Sequence, residues 1–276
     1  MSKQNDWMRN DRWDEEDQRA FFQRLGRSRS TFNRVQYLHI KAAFLAKAEE
    51  PTKQDAAVEL EFQSCREAED EAMKFALGTP KHKQYVRWAM NAQVHIAKIR
   101  QRQGRPDDAI AHYRDALRRQ QGEPPDPYIT GLARAVYETN RVAEFRELLD
   151  LLNSSWRAHQ KALGVFRHQF FEYALYQAVL SFAIGRIEAA KAYARSARSI
   201  LAAEDHGIGQ NRSVGTVHAT AEQCADLQRI LDMPLSEAKT NGEGIIDFLS
   251  RVPPGTRTRQ DVDQQIREER DGWDDR

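Results

Sequence analysis

Few side chains in this chain stand at the spacings that chemistry requires. Gly207, Gly209 and Gly215 are the material of a phosphate loop, in which backbone N–H groups cradle an anion where a helix begins. Such a loop follows a strand and ends in Gly-Lys-Ser/Thr, and neither accompanies these glycines, so the segment reads as a connection between helices. The histidines are scattered, and none pairs at i, i+4 beside a glutamate as in a helix-borne zinc hydrolase. His95 and His112 fall inside helical patterns and read as packed or solvated side chains. His218 and Cys224 are six residues apart, which on one helix places them on different faces and prevents a direct nucleophile–base pair. Asp107 and Asp108 are adjacent carboxylates, but they open a helix, where acidic groups complement the helix dipole. Cys65 lies in a strongly acidic segment, the opposite of the electropositive setting that activates a thiol. The expectation is therefore no catalytic set, no metal-ligand set and no cofactor, and hence no enzymatic activity.

Composition narrows the partner classes. Lys and Arg number 42 against 41 for Asp and Glu, so net charge does not draw the molecule as a whole toward nucleic acid or membrane. Charge is nonetheless uneven. Residues 49–74 hold nine acids and three bases, and residues 156–198 hold seven bases and two acids, so electrostatic recognition must be local. The first residues lack a secretory apolar core and no run of 18 apolar residues occurs, which predicts a cytoplasmic protein without membrane association. Cys65 and Cys224 stand far apart and imply no disulfide framework.

The elements that must position any site are helices. Apolar residues recur at spacings of three and four, β-branched runs are rare, and glycine and proline punctuate sparsely. Helices are predicted over 15–24, with Phe21, Phe22 and Leu25 on the apolar side, over 35–48, and over 54–77, with Ala57, Leu60, Cys65, Ala68, Ala72 and Phe75 inward. From Lys81 onward come three helix pairs. Their second helices open at Gly104, Asn140 and Gly185, residues suited to a left-handed stop between antiparallel helices. Five positions after each turn stand Ala109, Phe145 and Ala190, and seven later Ala116, Leu152 and Ala197. A further helix over 217–231 and a short apolar one around 245–252, ended by Pro253 and Pro254, read as the closing cap, with a polar tail over 256–276.

These residues resemble the tetratricopeptide repeat (TPR), whose second helix carries small residues at this interval and whose period is about 34 residues. The turns here are 36 and 45 positions apart, so the second interval requires an insertion, placed at the extended helix end and loop around Asn153 to Trp156. The best repeats span 82–201, within a single domain over 1–255. The family's preferred aromatic and Leu-Gly of the first helix are replaced by Gln93, Ile96 and Ala97, and Phe145 stands where alanine is expected. The N-terminal stretch, with Trp13, Phe21-Phe22 and Gln36-Tyr37-Leu38, is similar to uncharacterised bacterial proteins of this class. The resemblance implies an all-α solenoid of stacked antiparallel helix pairs forming a superhelix.

It also implies a binding face, because in that family the first helices line a concave groove. Carried over by the turn alignment, the groove residues are Val94, Lys98, Gln101 and Arg102, then Thr130, Arg134 and Tyr137, then Leu175, Val179 and Phe182. One end is basic and the other apolar. The implied partner is a protein or peptide with acidic residues beside an apolar anchor, bound by an adaptor, scaffold or regulatory subunit. The alternative is RNA, attracted by the basic stretch together with Arg24, Arg27, Arg29 and Arg34 and the aromatics near them.

Overall fold

The computed structural model describes residues 7–120, 128–163, 167–202, 217 and 219–233. Among the described residues all regular structure is helical, and ten α-helices follow one another without a strand. The N-terminal helices are α1 (Glu15–Gly26), α2 (Thr31–Leu45) and α3 (Pro51–Ala72). The central ones are α4 (Pro80–Arg102), α5 (Pro106–Arg119), α6 (Ile129–Glu138) and α7 (Phe145–Leu163), and α8 (Arg167–Ala183), α9 (Ile187–Ala202) and α10 (Ala221–Asp232) follow. The short predicted helix around 245–252, the glycine-containing loop after Asp205 with Gly207, Gly209 and Gly215, His218 and the C-terminal tail lie outside the described residues.

Local chemistry sets the boundaries. Asp14 caps α1 by accepting a hydrogen bond from the Asp17 N–H, and three acids fill the first turn. Pro51, Pro80 and Pro106 each occupy the first turn of a helix, where the missing N–H would have had no partner anyway. Pro51 therefore begins α3 three residues before the predicted start. Thr220 and Gln223 form a capping box, so α10 begins at Ala221 and not at Val217.

The three predicted turns share one backbone conformation. Gly104, Asn140 and Gly185 have φ of 70°, 51° and 79°, all in the left-handed region. In each case the next residue is an arginine whose N–H reaches back five positions: Arg105 to Arg100, Arg141 to Val136 and Arg186 to Ser181, at 2.9, 3.2 and 2.8 Å. This 6→1 bond is the Schellman helix stop. Past the turns, Ala109, Phe145 and Ala190 are buried, as are Ala116, Leu152 and Ala197, so the predicted register holds at all six positions. The segment expected to hold the insertion between the second and third turns is helical. Helix α7 runs unbroken past Trp156, and no loop interrupts residues 153–156.

Packing runs mainly between neighbours in sequence. Helices α2 to α5 each lie on the next, as do α5 to α9, while α10 rests on both α8 and α9. Helix α4 is shared among three clusters. Its Ile96 and Ile99 belong to the N-terminal cluster with Phe21, Leu25, Leu38, Leu45 and Leu60, while Ala97 belongs to the larger cluster that ends at Leu227 and Ile230. A third group, Val35, Cys65, Ala68, Tyr85 and Ala89, joins α2, α3 and α4. Cys65 is thus a small core residue, as expected. The segment before α1 is tied down by the buried Lys41, whose ammonium donates to the Asn10 carbonyl and side-chain oxygens and to the Arg12 carbonyl, and lies 5.3 Å over the Trp13 ring.

Candidate functional site

The face predicted from the first helices divides in two. Its basic part is accessible: Lys98, Arg102 and Arg134 are exposed, and Gln101 is half-buried beside them. Glu138 links α4 to α6 here, accepting from Arg134 Nε at 2.7 Å and from Gln101 Nε2 at 3.5 Å. Arg102 also has structural duty, since one of its Nη groups donates to the Ala46 carbonyl beyond the end of α2 at 2.9 Å. Val94 is partly buried against the core, and Thr130 is buried with its hydroxyl donating to Glu172.

The apolar part is closed. Leu175, Val179 and Phe182 are all core residues, 1%, 2% and 4% exposed, so they present no open pocket for a partner's anchor. The apolar character of these three residues is legible in the sequence, but not which neighbours cover them. The chain's own α10 is one of them. Arg229 of α10 lies 5.9 Å over the Phe182 ring and pairs with Asp226 at 2.8 Å, and Asp226 accepts from the Tyr137 hydroxyl at 3.3 Å. Burial pushes the Tyr137 phenol up to about 12, the Asp226 carboxylate adding to that, and burial likewise raises the Asp226 carboxyl.

A second cluster joins the N-terminal helices. His39 of α2, Glu61 of α3 and His95 of α4 converge so that ligand atoms from all three lie within 4.8 Å of one another. The His95 Nδ1 is 2.5 Å from Glu61 Oε1 in a hydrogen bond. The His39 Nδ1 is 2.8 Å from the same oxygen without hydrogen-bond geometry, and it and Glu61 Oε2 are buried without a hydrogen-bond partner. The Glu61 side chain is wholly buried, whereas the His39 and His95 side chains keep 30% and 17% of their exposure. Burial works against the His39 imidazolium, but the Glu61 carboxylate outweighs it and the pKa is raised. Trp88 meets the His39 ring edge-on at 5.8 Å and also lines a cavity of about 670 Å³ beside α4, together with Val86, Arg87, Asn91 and Arg119.

The comparisons decide no family. No protein-family model, no curated protein and no solved structure matches this chain. The reading of both regions rests on the chain itself. Among the described residues no helix is long and apolar enough to cross a membrane.

The histidine–carboxylate cluster is what the sequence motifs missed. Its members come from three helices, so no short-range spacing marks them. One signal was present: Glu61 stands on the stripe Ala57, Cys65 and Ala68 of α3, a carboxylate at an inward position of an amphipathic helix. His112, the other helical histidine considered, lies on α5 with its Nδ1 2.8 Å from the Gln93 side-chain oxygen, and burial lowers its pKa.

Proposed function

We propose that this chain is a TPR-like α-solenoid acting as a non-enzymatic interaction module, which binds an acidic segment of a protein or peptide along the basic face of its first helices. The observation that carries this reading is the placement of Lys98, Arg102 and Arg134 on exposed positions of α4 and α6, two helices that Glu138 joins by accepting from Gln101 and Arg134. Three identical helix stops support the repeat architecture, because equal turns stack successive pairs at similar angles. Guanidinium groups hold carboxylates bidentately, and two arginines with a lysine along one face suit several acidic side chains in series. The partner's apolar anchor would seat outside Leu175, Val179 and Phe182, since the chain covers these itself. As an adaptor or scaffold the molecule would need no cofactor and would work in the cytoplasm.

The test is the triple variant Lys98→Ala, Arg102→Ala and Arg134→Ala, with circular dichroism as the control on folding. Partners captured by the wild-type chain and identified by mass spectrometry should be lost from the variant while its helical signal persists. A partner set unchanged by the variant would overturn the face assignment. A second reading, RNA, has one feature in its favour: Arg24, Arg27 and Arg29 line a shallow cavity with Trp7 and Tyr37. In that case a labelled oligonucleotide should bind at low salt and weaken with a logarithmic slope of about 0.7 per phosphate contacted, and replacing these three arginines should abolish binding. Absence of any shift at low salt removes this reading.

A further inference from the structure

The cluster of His39, Glu61 and His95 presents two imidazoles and one carboxylate from three successive helices, and its polar groups are not satisfied by the protein alone. A carboxylate taken wholly out of water costs several kcal/mol unless its oxygens are engaged, and native folds rarely leave such an atom alone. Glu61 has no exposed side-chain surface, one oxygen facing both imidazoles and a second oxygen without a hydrogen-bond partner. The His39 Nδ1 is buried as well and meets Glu61 only through the oxygen that already bonds His95, 2.8 Å away. Two imidazole nitrogens crowded on one oxygen of a buried carboxylate, whose other oxygen has no partner, are the pattern a cation completes.

We propose that His39, Glu61 and His95 form a binding site for a divalent first-row transition ion of the zinc class, clipping α2, α3 and α4 together. The donor set selects the ion. Two nitrogens and one carboxylate oxygen suit zinc, iron(II), cobalt or nickel, whereas calcium and magnesium take all-oxygen shells and copper(I) prefers sulfur. The dimensions fit. Ligands at 2.0–2.1 Å around a tetrahedral ion stand about 3.3 Å apart. Glu61 Oε1 stands 2.5 Å from His95 Nδ1 and 2.8 Å from His39 Nδ1, so each nitrogen draws back by about 0.5–0.8 Å to admit the ion. The last torsions of histidine and glutamate are broad, so small ring and carboxylate rotations bring the three atoms to equal distance from one centre. On binding, the proton between His95 Nδ1 and Glu61 leaves and the ion takes its place.

Access and coordination number follow from burial. The ion would lie against a buried carboxylate on the inside and two partly exposed imidazoles on the outside, which leaves its remaining position to water. Trp88 packs edge-on against the His39 ring. Its place in the wall of the neighbouring cavity brings that open space close to the site. This inference is independent of the partner-binding reading, since Lys98, Arg102 and Arg134 take no part in the cluster.

The experiment uses the full chain, stripped with chelator and titrated with Zn²⁺ by calorimetry and with Co²⁺ by absorption spectroscopy. One equivalent should bind, Co²⁺ should show the ligand-field bands of a nitrogen–oxygen site, and Zn²⁺ should raise Tm. Glu61→Gln, His39→Gln and His95→Gln should each weaken binding at least tenfold and remove the Tm shift. His82→Gln, which changes a histidine at the start of the same α4, should leave both unchanged. If Glu61→Gln fails to fold, the two histidine variants decide, because their side chains are partly exposed and glutamine is tolerated there. A wild-type chain that binds neither ion overturns the proposal. So does a wild-type affinity that survives both His39→Gln and His95→Gln.

Discussion

At the scale of single residues, environment separates groups that composition treats alike. Cys65 is 2% exposed and touches the Gln93 amide, while Cys224 is exposed on α10. Burial pushes the Cys65 thiol up, so at neutral pH it carries less thiolate than a free cysteine as well as being covered. Titration of the native chain with an aromatic disulfide at pH 8 should therefore modify one thiol quickly, and the second only after denaturation; two fast thiols would contradict the packing of α3. The Arg34–Glu67 pair gives a prediction in pH. Arg34 donates to both oxygens of Glu67, at 2.9 and 2.8 Å, and Gln63 donates to one of them. Burial would raise the Glu67 carboxyl, but these hydrogen bonds outweigh it and hold the pKa below its ordinary 4.5. A group with a depressed folded pKa adds stability that is complete above the unfolded value and is lost as pH falls through the folded one. Glu67→Gln should thus flatten the fall of Tm below pH 4.5, and Arg34→Ala should cost about 1 kcal/mol, a figure discounted because the arginine is a third exposed. Residue identity alone exposed little of this. The inward position of Cys65 was legible from helical period, whereas the partners of Glu61 and Glu67 depend on which helices meet.

Among the elements, the turns carry the most specific information. Asn140 adopts φ of 51°, a conformation that costs a β-branched residue roughly 1–2 kcal/mol, while glycine enters it freely. Asn140→Gly should change Tm little, and Asn140→Val should lower stability by about 1–2 kcal/mol; equal effects would mean that this turn is not held in the left-handed region. A second element-level test concerns the approach of α6 to α5. A methyl group at Gly131 would run into the ring and hydroxyl of the buried Tyr113, so Gly131→Ala should destabilise by about 1–3 kcal/mol despite alanine's higher helix propensity. An increase in stability would refute that packing. Ala109→Trp and Ala190→Trp should be at least as costly, because both alanines are fully buried just after a turn. The left-handed stops and the burial after them were readable because each is written within a few residues: Gly or Asn, then Arg, then a small or apolar side chain five positions past the turn. Tyr113 against Gly131 was not readable, since it depends on the angle between two helices. The same limit explains the apolar end of the expected groove. Leu175, Val179 and Phe182 are apolar in the sequence, but an apolar residue looks the same whether a partner or the chain's own helices cover it.

For the whole molecule, contacts confined mostly to sequence neighbours predict how stability is distributed. In an array where each helix rests on the preceding and following ones, a local loss weakens adjacent interfaces most and distant ones least. Helix α10 is a suitable place to apply such a loss. Its Leu227 and Ile230 are fully buried against the core that includes Phe182, Ile187 and Ala194, and it rests on both α8 and α9. Ile230→Ala removes buried methylenes and should cost about 2–5 kcal/mol at that end. Hydrogen exchange followed by mass spectrometry should then show faster exchange in α8, α9 and α10. Helices α1 to α3, whose buried residues belong to the N-terminal clusters, should exchange as in the wild type. Helix α4 is the informative boundary. It contributes Ile96 and Ile99 to the N-terminal cluster and Ala97 to the larger one, so it transmits the disturbance only if the two cores unfold together. Equal acceleration from α1 through α10 would show a single cooperative unit and refute the picture of a stacked array. Acceleration that stops before α4 would place the division at the helix that carries His95 and, one turn on, Lys98, where the N-terminal clusters and the basic face meet.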